Sequence, residues 1–359
     1  MSSQHQDQDQ EVGVGIDTHA DVHMVGVIDR VGREIAHQGF PTTEAGYQQL
    51  ETWIASWGSV LRIGMEGTGT YGAELCRQLT AHGFDVVEVD RADRKTRRFQ
   101  GKSDPIDAYA AARAAISGRA SAIPKARDGN VEMIRVLRVA RNSAIKARVA
   151  AIVQLKATIV SAPAGLRGDL AGIDKAALVD RCARFRVART GEGHLDSTTS
   201  ATKAALKTLA RRVRSLDDEI SGLDSDLGYL VEATAPTLVS LFGVGTDVAG
   251  QLLVTAGDNP ERLKSSAAFA HLCGVAPVPA SSGRTTRHRL NRGGDRHANA
   301  ALYRITLCRL RHDDTTRAYR ARRATEQKST QDIIRCLKRY IAREVFTAIQ
   351  TDLNPKTSP

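Results

Sequence analysis

Short apolar runs alternate with amphipathic segments over the first third of the chain. The first three runs, separated only by short turns, predict consecutive strands over residues 12–17, 23–29 and 33–39, and two further runs predict strands over 61–65 and 84–89. Helical periodicity predicts helices between and after these runs, over residues 43–57, 71–82 and 104–116. Three antiparallel strands followed by alternating helices and strands indicate a mixed α/β sheet.

A second hydrophobic pattern, with heptad spacing, occupies the middle of the chain. Aliphatic residues recur there at alternating intervals of three and four, at Leu206, Leu209, Val213, Leu216, Ile220, Leu223, Leu227 and Leu230. Such a narrow seam is typical of a coiled coil. A basic amphipathic helix is predicted over residues 131–159. The seam is compatible with pairing to that helix, with pairing to a second chain, or with a place in an ordinary helical bundle.

These patterns divide the chain into five predicted segments. The segments are a disordered polar leader over 1–11, an α/β domain over 12–125, a helical coiled-coil region over 126–234, a mainly α-helical domain over 235–325 and a basic helical tail over 326–359. Residues 164–200 have no clear periodicity and stay unassigned.

A glycine-rich turn, Gly243-Val244-Gly245, separates two short helical patterns in the fourth segment. This arrangement is typical of a helix-hairpin-helix, in which backbone N–H groups and a helix N-terminus face a nucleic-acid phosphate. Such a motif contacts the backbone without reading base sequence. A plain helical hairpin is the alternative interpretation.

Composition adds a polyanionic partner to this picture. The 359 residues carry a formal net charge of +11, which favours nucleic acid, although an ordinary basic protein is compatible with charge alone. The five cysteines are scattered without zinc-ligand spacing. No apolar run approaches the roughly 18 residues that a membrane span needs, so no membrane partner is expected.

Four carboxylates occupy positions that favour a metal site. Asp17 and Glu66 each follow the apolar run of a predicted strand, and Asp104 and Asp107 lie three residues apart at the start of a predicted helix. Grouped carboxylates repel one another unless cations lie between them, and a pair of divalent ions with oxygen ligands suits chemistry on phosphates. Taken singly, Asp104 before Pro105 also fits a helix N-cap, and Asp17 a turn residue.

A run of arginines follows Ser281 and Ser282. The run has Asp295 as its single acid and contains Arg284, Arg287, Arg289, Arg292 and Arg296. Guanidinium groups match phosphate oxygens in pairs, so this segment predicts nucleic-acid binding. A flexible basic loop that only touches the nucleic-acid backbone is the alternative.

The histidines do not form a metal triad in the sequence. His19 and His23 lie close to Asp17 and are candidates to neighbour the carboxylate site, but we favour surface or core positions for both. His288 and His297 lie nearer the serines and are candidates for assisting proton transfer.

The order of strands and helices, with the four carboxylates at their ends, resembles the RNase H-like fold in its RuvC-type form. Together with the Gly-Val-Gly turn and the segment GVAPVPASSGRTTRHRLNRGGDRHANAALY, it resembles the IS110/IS1111 family of transposases. The resemblance covers most of the chain except residues 164–200. It implies a RuvC-like DEDD domain over 12–125, a coiled-coil insert and a C-terminal transposase domain from about residue 235.

The resemblance also implies a role for each candidate residue. Mg²⁺ or Mn²⁺ would be held by the DEDD set, Asp17, Glu66, Asp104 and Asp107. The family's nucleophilic serine falls on Ser282, because relatives typically place it immediately before a small residue, and Ser281 stays open. Many relatives carry a lysine shortly after the serine, where this chain has Arg284 and Thr285.

Partners follow from the same resemblance. It implies a covalent phosphoserine link to DNA and a guide RNA encoded by the element. It also implies a homo-oligomer, a dimer or a tetramer, joined through the coiled coil, with the two end domains meeting across protomers.

We therefore expect a bacterial, cytoplasmic and nucleoid-associated DNA transposase that moves its own insertion sequence. A RuvC-like junction nuclease using water alone would need the carboxylates but no serine. An actin-like ATPase or sugar kinase begins with a similar strand-Asp meander, but the chain lacks the later Gly-rich phosphate loop that this class requires. A DNA-binding protein with an inactive site is the remaining alternative.

Overall fold

The computed structural model describes residues 10–90, 103–281, 283 and 288–354, which form two compact units. One unit combines the chain up to Gly129 with Ala256–Phe269, and the other combines Asn130–Thr255 with the chain from Ala270 onward. The sequence pattern holds no signal for the return of Ala256–Phe269 to the first unit. Residues 1–9 of the predicted leader lie outside the described residues, and Glu11 already begins the first strand. The five-segment division stays a prediction.

A five-stranded sheet in the order β3-β2-β1-β4-β5 organises the first unit. Its strands are β1 (Glu11–Asp17), β2 (Val22–Asp29), β3 (Glu34–Pro41), β4 (Ser59–Met65) and β5 (Val86–Glu88). The first three strands form an antiparallel meander, whereas β4 runs parallel to both β1 and β5. The predicted mixed α/β sheet is confirmed. Its helices are α1 (Glu44–Ala55), α2 (Ala73–Ala81) and α3 (Asp104–Ile116).

One face of this sheet carries the large apolar side chains. Val12, Val14 and Ile16 of β1 project there, because side chains alternate between the two faces of a strand. They pack with residues of α1 and α2 such as Leu50 and Leu75, both fully buried. This face is the main core of the first unit.

The opposite face is rich in glycine on the central strands and is covered by α3. Gly13 and Gly15 of β1 lie on it, as does Gly64 of β4. A Cβ atom on Gly15 would overlap the backbone of α3 at Ala108, and one on Gly64 would overlap the backbone at Ala111. Glycines on the sheet therefore let α3 lie directly against β1 and β4.

The second unit is helical, and its two longest helices are α4 (Asn130–Val160) and α7 (Thr198–Thr234). They run antiparallel, because Arg148 pairs with Asp217 while Arg141 pairs with Asp224. The heptad seam of α7 packs against α4 of the same chain, and Leu206 and Val213 also pack with the short helices that follow α4, as in an ordinary helical bundle. Pairing with a second chain stays a prediction. Two short helices, α5 (Ala164–Asp169) and α6 (Lys175–Ala183), fill the stretch without clear periodicity.

The remaining elements lie between Pro236 and Leu353. They are α8 (Pro236–Ser240), α9 (Thr246–Ala256), a 3₁₀ turn (Pro260–Arg262), α10 (Ser266–Leu272), β6 (Val278–Pro279), β7 (His288–Arg289), α11 (Arg296–His312), α12 (Asp314–Thr325) and α13 (Thr330–Leu353). Among the helices in the described residues, none combines the length and apolar character needed to cross a bilayer.

We predict that Gly15→Ala destabilises the first unit. Its new methyl group would overlap Ala108, and overpacking of this kind costs about 1–3 kcal/mol. Thermal unfolding followed by circular dichroism measures the effect. Gly228→Ala is the matched control, because this glycine lies inside α7 with open space around it, so helix propensity should make the change neutral or slightly stabilising. Equal melting temperatures for Gly15→Ala and wild type would contradict the close helix–sheet contact.

Candidate functional site

Two of the predicted carboxylates lie at the ends of neighbouring strands, on the face of the sheet that α3 covers. Asp17 ends β1, and Glu66 directly follows β4, which runs parallel to it. By strand alternation both share the face of Gly15 and Gly64 rather than that of the apolar core. Backbone bonds tie the two ends together, since the Glu66 N–H donates to the carbonyl of Ile16 at 3.1 Å. Each carboxylate residue is buried, with 8% of its surface exposed.

The other two carboxylates lie in the first turn of α3. Ser103 occupies the N-cap position, Asp104 is the first helical residue and Pro105 follows it. The N-cap interpretation of Asp104 is therefore wrong for this chain. Asp107 is buried, while the side chain of Asp104 is half exposed. The close approach of α3 to the sheet brings this turn to the strand ends.

His19 lies in this cluster, although a surface or core position was expected for it. Its Nε2 atom lies 3.1 Å from an Asp17 carboxylate oxygen and 3.6 Å from one of Asp104. The ligand atoms of these three residues all lie within 4.8 Å of one another. The spacing Asp-x-His directly after a strand is the sequence signal that could have indicated this. Within the described residues, Glu66 and Asp107 are outside that three-residue group.

A buried histidine holds the turn that carries His19. The backbone N–H of His19 donates to Nδ1 of His23 at 3.3 Å, so the neutral His23 ring carries its proton on Nε2. Burial lowers the pKa of His23 to about 4, with the nearby His19 also lowering it, so the ring is neutral at physiological pH. His23 is fully buried and stacks on Tyr47. The expected core position is confirmed for His23.

Burial and the charges of neighbouring carboxylates disfavour the ionised form of Asp17, and a bound cation would favour it. Burial raises the pKa of its carboxyl above the ordinary value of 3.8, His19 opposes this, and the charges of Asp107 and Asp104 raise it further. A positive ion at this point would offset both the burial and the repulsion. Carboxylate oxygens suit Mg²⁺ and Mn²⁺, and an added imidazole nitrogen shifts preference towards Mn²⁺. The residues present therefore fit a divalent metal ion.

Ser281, one of the two predicted nucleophilic serines, follows the first strand of a short antiparallel pair in the second unit. Strands β6 and β7 pair through Val278 with Arg289 and Pro279 with His288, and Ser281 lies exposed beyond β6. Ser282, Arg284 and Arg287 lie outside the described residues.

Two other predicted phosphate contacts, Arg292 and Arg296, are exposed on the segment that leads from the hairpin into α11. Asp295, the single acid of this stretch, caps α11 by accepting hydrogen bonds from the N–H groups of His297 and Ala298. Its second carboxylate oxygen accepts a hydrogen bond from Thr255. Asp295 is thus engaged in holding the helix start. His297 is exposed in the first turn of that helix, and His288 is exposed on β7.

The predicted glycine turn lies between α8 and α9. Gly243 has a positive φ of 81° and packs against Cys308 of α11, whereas Gly245 faces open space. The first turn of α9 carries Asp247, which pairs with the buried Arg138 at 2.8 Å and with Arg304 at 2.7 Å. Burial opposes ionisation of Asp247, but the two arginines outweigh it and hold its pKa below the ordinary value. Gly243 thus has a packing role besides any contact with phosphate.

Comparison with known proteins identifies the family. Residues 14–162 match the DEDD model of IS110 elements, described as a transposase, and residues 235–321 match the model described as transposase of the IS116/IS110/IS902 family. The chain belongs to the IS110 family of transposases. All four predicted carboxylates of this IS110-family chain fall in the first match, and Ser281 and Ser282 fall in the second.

Two relatives from insertion elements resemble part of this IS110-family chain. An uncharacterised 43.6 kDa protein of element IS110 from Streptomyces coelicolor is 30% identical over 149 residues, which is 40% of this chain and 36% of the relative. An uncharacterised 42 kDa protein of element IS900 from Mycobacterium paratuberculosis is 30% identical over 137 residues, or 37% of this chain and 34% of the relative. The matched part thus spans about a third of each relative's length.

We predict that Asp17→Asn stabilises the metal-free protein at neutral pH. Because the folded state raises the pKa of Asp17, its carboxylate destabilises the fold once the pH exceeds the folded value, and the penalty disappears below about pH 3.8. The amide should raise the melting temperature in EDTA by roughly 1–3 °C. The substitution should also remove most of the increase in melting temperature that MgCl₂ or MnCl₂ produces in the wild type.

His19→Ala separates the role of the imidazole from that of the carboxylate. This variant should keep most of the stabilisation by Mg²⁺ and lose part of that by Mn²⁺, because only the nitrogen ligand is removed. Differential scanning fluorimetry measures both. Metal-induced stabilisation that is the same in wild type and Asp17→Asn would contradict a cation site at this cluster.

Proposed function

We propose that this protein is a DNA transposase that cuts and rejoins the strands of an insertion sequence with a divalent-metal site and a serine nucleophile. The grouping of Asp17, His19 and Asp104 at the strand ends carries the proposal, because it lies in the region that matches the DEDD transposase model. We assign this region to the RNase H-like fold in its RuvC-type form. The two-domain match and the names of the relatives support an insertion-element origin.

The proposed metal ligands are the carboxylates that the fold gathers at the end of α3. Asp17, Glu66, Asp104 and Asp107 would hold Mg²⁺ or Mn²⁺, with His19 as an additional ligand. When bound, such ions polarise a phosphate and stabilise charge on the attacking and leaving oxygens. The chain contributes a buried, water-poor setting for Asp17, Glu66 and Asp107, in which opposite charges attract strongly.

The proposed nucleophile is Ser282, with Ser281 as the alternative. In strand cutting, the serine oxygen forms a bond to phosphorus while the bond from phosphorus to a deoxyribose oxygen breaks. The serine proton passes to a base, and the leaving deoxyribose oxygen takes up a proton. In rejoining, the hydroxyl of another strand attacks the same phosphorus and releases the serine. Retaining the phosphodiester energy in a covalent link allows exchange without an external energy source.

The proposed DNA contacts are the arginines of the hairpin segment and the glycine turn. Arg284, Arg287, Arg289, Arg292 and Arg296 would bind backbone phosphates, and the N–H groups at Gly243 and Gly245 would add a further contact. A guide RNA encoded by the element would supply sequence recognition, with basic surfaces binding its backbone. Such a protein would work in the bacterial cytoplasm, at the nucleoid.

We further propose a homo-oligomer, a dimer or a tetramer, joined through the long helices. The heptad seam of α7 packs against α4 within the chain, but α4 also presents a second row of apolar side chains to solvent. Val139, Val153 and Val160 in this row are 59%, 60% and 71% exposed. Val139, Val153 and Val160 are separated by multiples of seven residues and so share one face of the helix, with Lys146 at the position between Val139 and Val153. An exposed row of apolar side chains favours pairing with another helix.

Light scattering on the purified protein should therefore report a mass of two or four chains of 38.8 kDa each. Val153→Glu should shift the mass towards that of one chain, because it places a charge in the apolar row. Gln154→Glu, an exposed position one residue away on the same helix, is the matched control and should keep the assembly. A wild-type protein with the mass of one chain at micromolar concentration would refute this proposal.

The catalytic proposal predicts a covalent protein–DNA adduct. We expect an SDS-resistant adduct when the protein is incubated with Mg²⁺, RNA transcribed from the flanking DNA, and labelled duplexes carrying the element ends and target. Ser282→Ala should abolish the adduct, whereas Ser281→Ala should retain it. Asp17→Ala should also abolish it, at least about 100-fold below wild type, since the charge that stabilises the transferring phosphate is lost.

Each rival function gives a different result in the same experiment. Strand cutting without any adduct, unaffected by Ser282→Ala and Ser281→Ala, would indicate a metal-dependent nuclease that uses water. Loss of the adduct in Ser281→Ala alone would move the nucleophile to Ser281. DNA binding without cutting, unchanged by Asp17→Ala, would indicate an inactive site.

A further inference from the structure

Two adjoining cavities lie in the second unit beside the strand pair of β6 and β7. Their volumes are about 470 and 770 Å³. They share a wall formed by Gly274, Asn291, Arg292, Asn299 and Lys338. This wall combines the segment before the hairpin, the segment after it, and helices α11 and α13, so it exists only in the folded unit.

The wall carries two basic side chains, Arg292 and Lys338, and its other three residues are uncharged. Lys338 donates a hydrogen bond to the side-chain oxygen of Asn299 at 2.8 Å. The amide nitrogen of Asn299 donates to the carbonyls of Cys273 and Gly274, which fixes that oxygen towards the lysine. Among the described residues, the one acid that lines the cavities is Asp332, and it pairs with Arg335 at 2.7 Å. Lys338 is half-buried, and its hydrogen-bond partner is a neutral amide rather than a carboxylate.

Two further observations indicate that an anion belongs here. Arg339 lines the larger cavity, and its Nη1 atom is buried without a hydrogen-bond partner among the described residues. Burial lowers the pKa of Lys338, and the charge of Arg335 lowers it further. A bound anion would satisfy the guanidinium and offset both effects on the lysine.

Part of the lining of the larger cavity is apolar. Val275, Ala276 and Pro277 line it, together with Tyr340, whose side chain is 49% exposed. The ring of Tyr340 is held edge-on against Tyr319, with centroids 5.8 Å apart. A fixed, half-exposed aromatic ring next to a cationic wall has the two surfaces that one nucleotide requires, a platform for the base and donors for its phosphate.

We propose that this cavity takes one unstacked nucleotide of a DNA strand, with its phosphate on Lys338 and Arg339 and its base on Tyr340. DNA is favoured over RNA because β7, which follows the candidate serines in the sequence, forms part of the cavity rim at His288 and Arg289. The inference rests on the proposed function, which requires a DNA strand at this hairpin. It goes further by assigning a single-nucleotide site to residues of α13 that the reaction itself does not use.

The test measures binding of fluorescein-labelled single-stranded DNA to the full chain in EDTA, where metal-dependent cutting cannot occur. Lys338→Ala should weaken binding roughly tenfold, as expected for loss of a charged hydrogen bond. It should also reduce the slope of log affinity against log salt by about 0.7, the value for one phosphate contact on a single strand. Lys156→Ala, which removes the same charge from an exposed position on α4, is the control and should change neither quantity.

Substitutions of Tyr340 provide a second test, which does not depend on Lys338. Tyr340→Ala should weaken binding about tenfold through lost stacking, whereas Tyr340→Phe should bind like wild type. Ultraviolet cross-linking of bromodeoxyuridine-substituted DNA, followed by mass spectrometry, should map the adduct to the peptide containing Tyr340.

Three outcomes would overturn the proposal. They are equal DNA binding by Lys338→Ala and Lys156→Ala, equal loss in Tyr340→Ala and Tyr340→Phe, and losses confined to an RNA of the same sequence. Because these measurements need neither the serine nor a metal ion, their failure is distinguishable from a failure to form the covalent adduct.

Discussion

Close contact between α3 and the central strands is the constraint on which the candidate metal site depends. Gly13, Gly15 and Gly64 let the helix approach β1 and β4 closely, and alanines on α3 complete the fit. A side chain at any of these positions would push the helix outwards. Asp104 and Asp107 would then move away from the strand ends, where Asp17 and Glu66 are fixed by backbone pairing. The function of the carboxylates is thus limited by residues that carry no functional group.

This packing holds the carboxylates together against their electrostatic preference. The pKa of Asp17 is raised first by burial and then by neighbouring carboxylates, so the metal-free fold gains nothing from ionising it. Stability instead comes from the apolar face of the same sheet, where Val14, Ile16 and their neighbours are fully buried. Because side chains alternate along a strand, the two faces of β1 differ in role. One face stabilises the fold through apolar packing, and the other carries the carboxylate at the strand end.

Local periodicity was sufficient to predict the five strands of the first unit, the principal helices and the location of the four carboxylates at the ends of strands and at the start of a helix. It could not predict His19 in the cluster, because the direction of a side chain in the turn after a strand depends on tertiary contacts such as the bond from its N–H to His23. The heptad seam was visible, but a repeat specifies an apolar stripe and not the helix that covers it. The return of Ala256–Phe269 to the first unit is likewise a long-range contact without a local pattern.

The cavity near Lys338 is also formed by long-range contacts that no local sequence pattern predicts. It illustrates that only some of the basic residues of this unit remain without an acidic partner among the described residues. Many arginines of the second unit are neutralised within it: Arg138 and Arg304 by Asp247, and Arg309 by Glu344. These pairs connect helices and leave little field for a ligand. Lys338 and Arg339 lack such carboxylate partners among the described residues, although acids are available elsewhere on α13. The pairing of individual basic residues with carboxylates, rather than the total charge, therefore determines which basic side chains of this unit are available to bind a polyanion.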